Sequence, residues 1–136
     1  MHRGYNKEKF LQKVDMIRGI IPDVSLTTDI IVGFPGETDD DFQDTMDIVK
    51  YVEFDSVYMF QFSPRPGTKA YDMEDEFVDQ DIIKKRFQHL KDVQTDISEK
   101  RLNRFVGTNQ LLLIEKQSKK NNMVLTGKID SGQITH

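Results

Sequence analysis

Apolar positions along this chain follow helical and strand-like rhythms in turn. Phe10, Leu11, Val14, Ile17 and Ile21 recur at helical spacing, which predicts one buried stripe on a helix running to about Ile20. Asn6 stands where an N-cap is needed, and Gly19 with Pro22 just beyond predicts the stop. Val24 to Phe34 reads next as a strand, and its unbroken Ile30-Ile31-Val32 core predicts burial on both faces, as in a parallel sheet. Thr38 opens a second helix. Asp41 holds the capping-box position usually given to Glu or Gln, and Asp39, Asp40 and Asp41 suit the positive end of the helix dipole. Phe42, Met46, Val49 and Val52, with Thr45, form its inward face.

Ser56 to Phe62 is the next strand, rich in aromatic and β-branched residues. A loop with two prolines and a glycine follows from Ser63 to about Asp79. A long helix is predicted from about Gln80 to Arg104, with an apolar stripe of Ile83, Phe87, Leu90, Val93 and Ile97. Beyond Gly107, Leu111-Leu112-Leu113-Ile114 and Met123-Val124-Leu125 read as short strands around a polar hairpin loop, Gln117 to Asn122. The order is therefore helix, strand, helix, strand, helix, then β. The fold class is α/β, with a parallel sheet and right-handed crossovers in the first part. Two parallel strands do not complete a sheet, and the tail has too few strands to close a barrel. The expectation is a piece of a larger protein, divided near residues 105–107 into segments 1–105 and 106–136.

Composition changes this picture in two ways. The 136 residues contain no cysteine, so disulfides, thiolate zinc sites and iron–sulfur ligation cannot come from them. The net charge of −4 hides an uneven spread: residues 1–83 hold 8 Lys/Arg against 18 Asp/Glu, and residues 84–136 hold 11 against 5. The basic second part is either an end that faces a polyanion or a solvated helix face followed by a Lys-rich loop. No apolar run is long enough to span a bilayer, and Met1-His2-Arg3-Gly4 starts no signal peptide. The expected setting is soluble and cytoplasmic.

Two strand ends carry the candidate chemistry. In a parallel α/β sheet ligands sit beyond the carboxyl ends of the strands. The first end is Thr27-Thr28-Asp29-Ile30-Ile31-Val32-Gly33-Phe34-Pro35-Gly36-Glu37-Thr38. Gly33 and Gly36 allow close backbone approach, and the helix start offers N–H donors. Glu37 reads either as an acceptor for ligand groups or as a first-turn carboxylate favoured by the dipole. The second is Phe62-Ser63-Pro64-Arg65-Pro66-Gly67-Thr68, where two prolines hold Arg65 in a rigid turn suited to a carboxylate or phosphate, with Ser63 and Thr68 placed to orient it. The blander readings are a tight connection with nothing bound and a surface arginine. No nucleophilic triad is suggested and catalytic residues remain unassigned. His89 falls on a polar helix face, and no histidine pair has metal-ligand spacing. The acidic run from Glu37 to Asp47 is scattered by helical spacing, so no metal site is expected.

Leu26 to Thr38, then Phe54-Asp55-Ser56 and Phe62 to Thr68, closely resemble the radical S-adenosylmethionine methylthiotransferases. Arg3-Gly4-Tyr5 and Ile21-Pro22-Asp23-Val24-Ser25 agree as well. The Ser-Pro-Arg-Pro-Gly-Thr turn is most similar to the MiaB-type branch, which converts N6-isopentenyladenosine next to the anticodon of certain tRNAs to its 2-methylthio derivative. The branch acting on N6-threonylcarbamoyladenosine shares much of the turn and stays open as the alternative. So does a non-catalytic RNA-binding remnant.

The resemblance implies the C-terminal part of a partial (βα) TIM-like barrel, followed by the start of a small β-barrel TRAM domain that binds RNA. It implies S-adenosylmethionine as cofactor, with [4Fe–4S] clusters held only by the missing N-terminal domains of the parent enzyme, so that this segment alone is inactive. Its partners would be those domains and the tRNA anticodon stem-loop, with no membrane. Carried over by motif, Arg3 would meet the methionyl carboxylate, and Ile31 and Gly33 would pack near the adenine. Asp29 stands where the family's strand motif has its leading glycine, and the motif's acid is displaced to Glu37. Phe62, Ser63 and Arg65 would close the cofactor or substrate pocket. Lys116, Lys119, Lys120 and Lys128 would neutralise RNA phosphates.

Overall fold

The computed structural model describes residues 6–135, so Arg3 lies outside the described residues. The elements are α1 (Lys7–Ile20), β1 (Thr27–Val32), α2 (Asp39–Val52), β2 (Ser56–Gln61), a single 3-10 turn (Glu74–Glu76), α3 (Gln80–Asn103), β3 (Leu112–Gln117), β4 (Leu125–Ile129) and β5 (Ile134–Thr135). β1 and β2 pair in parallel, Thr27 opposite Ser56 and Val32 opposite Gln61. β3, β4 and β5 form a separate antiparallel sheet in that order.

Local sequence sets each helix start. Asn6 caps α1 by accepting the Lys9 N–H at 3.0 Å. At α2 the capping box is complete in spite of its unusual acid: Thr38 Oγ1 accepts the Asp41 N–H at 3.1 Å, and Asp41 Oδ2 accepts the Thr38 N–H at 2.9 Å. Aspartate suffices because the Thr38 hydroxyl also donates to Asp41 Oδ2 at 2.6 Å, drawing the shorter side chain back. Those bonds hold the Asp41 carboxyl below its usual range. Asp79 caps α3 through the Asp81 and Ile82 N–H groups.

One hydrophobic core lies between the helices and one face of the parallel pair. Val14 of α1, Val32 of β1, Met46, Val49 and Val52 of α2, Phe54, and Leu90 and Ile97 of α3 fill it, with Ile30, Val57 and Met59 packed against it. Full burial of side chains such as Val49 and Leu90 contributes about 1.5–3 kcal/mol each.

The expected burial of β1 on both faces is not realised. Successive strand residues point to opposite faces. Ile30 and Val32 meet the helices, while Asp29, Ile31, Tyr58 and Phe60 share the other face, which nothing among the described residues covers. A second layer is what a both-faces core needs. The predicted stripe of α1 also fails toward its end: Ile17 and Ile21 are exposed.

Two boundaries shift and one strand is added. β1 is shorter than Val24–Phe34, because Val24 to Leu26 contribute to a different network described below. The second tail strand begins at Leu125, not Met123: the Met123 N–H donates to Asn121 Oδ1 and the Val124 N–H to Asn121 O, closing a turn there. The short strand β5 was not foreseen.

Candidate ligand-binding site

β1 ends on Val32, and its turn is built by backbone that only glycine adopts easily. Gly33 has φ +77° and Gly36 φ +78°. A Cβ on Gly33 would stand 2.4 Å from Ile83 Cγ1, so α3 packs where a side chain would be. The Glu37 N–H donates to Phe34 O at 2.9 Å, and the Gly36 N–H to Glu76 O at 2.8 Å, which straps the turn to the 3-10 segment. Pro35 is buried within it.

Beside it, the Phe62 N–H donates to Val32 O at 2.8 Å and continues the parallel pairing one residue past β2. The Phe62 ring sits between Phe34 and Phe77 in edge-on contacts, with centroids 5.5 and 5.7 Å away. Such geometry suits aromatic quadrupoles and fixes the ring without a polar partner. The turn that follows closes on itself: Arg65 O accepts the Thr68 N–H at 3.3 Å and the Thr68 hydroxyl at 2.8 Å. Thr68 thus orients the Arg65 carbonyl, not its guanidinium as expected. The guanidinium is exposed and has no partner among the described residues.

These two strand ends frame an open depression of about 490 Å³, lined by Ile31, Phe34, Phe60, Phe62, Ser63 and Arg65 together with Gln61, Thr68 and Ala70. Of the expected cofactor residues, Ile31, Phe62, Ser63 and Arg65 meet here. Asp29 does not. It lies two residues back on the same uncovered face, beside a second depression of about 340 Å³ bordered by Lys7, Phe10 and Phe54. Gly33 is buried behind the wall. Glu37 is turned inward with both carboxylate oxygens used: Oε2 accepts the Gly33 N–H at 3.0 Å, and Oε1 pairs with Arg86 Nη1 at 2.7 Å. Of its two readings, neither an open acceptor nor a simple dipole partner describes this; it is a brace of the turn.

In the tail, Lys116, Lys119 and Lys120 gather around a depression of about 450 Å³ with Ser118, Thr126 and Ile134. Lys128 stands apart and pairs with Glu115 at 3.5 Å. No three His, Asp or Glu side chains converge as metal ligands among the described residues.

Curated relatives match nearly the whole chain. A tRNA-2-methylthio-N(6)-dimethylallyladenosine synthase of Fusobacterium nucleatum is 47% identical over 98% of the chain and 31% of that protein. Proteins of the same name from Finegoldia magna and Acetivibrio thermocellus are each 44% identical, over 94% and 100% of the chain and 28% of their own lengths. The chain belongs to this methylthiotransferase family. It spans about three tenths of the length of these relatives. No protein-family model matches it.

What sequence reading missed in this methylthiotransferase segment is a set of polar side chains on α3. Arg86 and Gln94 are buried with Ile83, Leu90 and Ile97, and these five positions form the deepest stripe of the helix. The expected Phe87 and Val93 are half-buried shoulders. Gln94 Nε2 donates to Phe54 O at 2.8 Å. Asp55, its side chain 1% exposed, is held by Arg101 at 3.2 Å, Arg104 at 2.8 Å and the Leu26 N–H at 3.0 Å. Arg101 and Arg104 also reach Val24 O and Ser25 Oγ. The legible signal was a polar residue at three-and-four spacing inside an apolar stripe, at positions 86 and 94.

Proposed function

We propose that this chain is the C-terminal part of a radical S-adenosylmethionine tRNA methylthiotransferase of the MiaB type. Residues 1–105 would end its partial (βα) barrel, and residues 106–136 would begin its TRAM domain. The observation that carries this is 40–47% identity, over 94–100% of the chain, to proteins that bear the name of that activity. Their shared name also favours N6-isopentenyladenosine over N6-threonylcarbamoyladenosine as the nucleoside modified.

The residues at the strand ends suit an adenosyl cofactor in chemical terms. Ile31, Phe60 and Phe62 offer apolar wall for a purine, and the partnerless Arg65 suits a carboxylate or a tRNA phosphate. Asp29, on the same face, offers an acceptor for ribose hydroxyls or a cationic centre. Bound S-adenosylmethionine supplies the radical chemistry in this reading. The chain's own part is to seat the nucleoside against the strand ends, while Gly33 shapes the wall and Arg3 serves the methionyl carboxylate. With no cysteine present, the [4Fe–4S] clusters belong to the N-terminal domains. The uncovered face of β1 and β2 supports this as well, being what the last strands of a barrel leave open when viewed without their preceding strands. Lys116, Lys119, Lys120 and Lys128 would bind phosphates of the anticodon stem-loop. No helix among the described residues is long and apolar enough to cross a membrane, and a cytoplasmic setting fits a tRNA substrate.

The test is nucleoside mass analysis of tRNA from cells that lack the full-length protein and are then supplied with it. The expected result is recovery of the 2-methylthio mass increment on isopentenyladenosine, reduced by Arg65→Ala. An increment confined to threonylcarbamoyladenosine, or none, overturns the assignment.

A further inference from the structure

Arg86 is the one cation buried among the described residues, and the proposed cofactor contacts do not include it. Its side chain is 8% exposed. From α3 it grips the turn after β1 at three points: Nη1 donates to Glu37 Oε1 at 2.7 Å and to Glu37 O at 3.2 Å, and Nη2 donates to Asp39 Oδ1 at 2.6 Å. Its guanidinium also lies over the Phe42 ring, 5.5 Å from the centroid. Burial by itself would lower its pKa, but the hydrogen bonds and charges of Asp39 and Glu37 raise it above the ordinary arginine value. The guanidinium therefore stays charged.

The consequence runs through Glu37. Its second carboxylate oxygen holds the Gly33 N–H at 3.0 Å, at a residue that, lacking a Cβ, would otherwise be free to take several backbone paths. Phe34, next along, is a wall of the depression, and Phe62 leans on it. A single fork on α3 thus sets the shape of a wall it never touches. Arg86 bridges two carboxylates with its two terminal nitrogens, and charge-assisted hydrogen bonds of this kind are stronger than neutral ones.

We propose that Arg86 is a positioning residue for the nucleoside-binding turn, acting through Glu37 and Gly33 to fix the Phe34 wall. The proposal rests on the cofactor reading above for its ligand, but the hold on the turn is a property of this chain. Arg86→Lys keeps the charge and loses the fork; Arg86→Gln loses both. Lys84→Ala, on the exposed side of α3, is the control.

The experiment uses the full-length protein and two readouts. One is amide hydrogen exchange of residues 33–38. The other is equilibrium binding of S-adenosylhomocysteine, an unreactive probe of the nucleoside site. For Arg86→Gln, exchange in this turn is expected to accelerate at least tenfold and affinity to fall about tenfold, the scale of a lost charged hydrogen bond. Arg86→Lys should recover part of both, and Lys84→Ala should match the unaltered protein. A turn as protected as before overturns the proposal. So does a loosened turn with unchanged affinity, and so does exchange that rises equally across α1, α2 and α3, which would make Arg86 a general brace. If the unaltered protein does not bind the probe, it is the cofactor reading that fails. The exchange arm then decides by itself whether Arg86 holds the turn.

Discussion

At Gly33 there is no room for one more carbon. A methyl group there would overlap the Ile83 side chain, and the φ of +77° is one that L-residues resist. Gly33→Ala is expected to cost about 2–4 kcal/mol, combining left-handed strain with overpacking. Ile83→Ala in the same background should return part of the overpacking share but none of the strain, which urea denaturation of the two variants can separate. Asp55 works the other way, since it is a buried charge with partners on every side. Asp55→Ala should cost about 3–5 kcal/mol by leaving Arg101 and Arg104 without their anion. Thr38 and Asp41 give a pH signature. The folded Asp41 carboxyl sits below its ordinary value near 3.8, so the stability it contributes is complete above about pH 4 and is lost as pH falls through the folded value. Thr38→Ala should remove that acid-range step and about 1 kcal/mol of stability at neutral pH, read from melts across pH 2–6. The glycine turn and the cap were legible because both depend on neighbours in sequence. Asp55 and Arg86 were not, because their charged partners lie 46 to 49 residues away.

The helices were more legible than the strands. Caps and periodicity are local, so α1, α2 and α3 fall within a residue or two of expectation. Strand ends depend on where the partner stops, and β1 begins and ends its pairing where β2 begins and ends its own, at Thr27–Ser56 and Val32–Gln61. α3 shows the limit of a hydrophobic stripe read alone. It ranks Phe87 and Val93 above Arg86 and Gln94, yet the polar pair is deeper because main-chain oxygens of Glu37 and Phe54 need donors there. In the tail, the loop between β3 and β4 carries Lys119 and Lys120 beside Lys116. If the loop meets RNA, Lys119→Ala with Lys120→Ala should lower tRNA affinity and reduce the salt slope by about two, with little dependence on RNA sequence. An unchanged slope in filter-binding titrations would make it a solvated surface.

Across the whole molecule, one layer is complete and one is open. The helical side of the parallel pair is covered, and the opposite side presents Tyr58 at 60% and Phe60 at 53% exposure. Contiguous apolar surface at a parallel pair with open edges favours association. Residues 1–136 expressed alone are expected to self-associate and bind a hydrophobic dye, and both effects should vanish in the full-length protein. A dye-silent, cooperatively melting monomer would contradict this. The α/β class was legible because strand and helix periods alternate cleanly along the chain. That only two strands share the first sheet could be counted from the sequence; that one of its faces is bare could not, since the unbroken Ile30-Ile31-Val32 run predicts burial on both. Which residues lie on that face could not, because Ile30 and Ile31 read alike.

The ties that α3 makes also bear on the order of synthesis. Its side chains and that of its C-cap, Arg104, reach back to Val24, Ser25, Glu37, Phe54 and Asp55 across 40 to 79 residues. A ribosome delivers those five partners long before it delivers Arg86, Gln94, Arg101 and Arg104. Contacts of such separation form late and slow folding. The emerging chain must therefore carry a capped but unbraced βαβ unit until α3 clears the exit tunnel. During that interval the Gly33 turn and the Asp55 carboxylate, not yet buried, both lack the cations that later hold them.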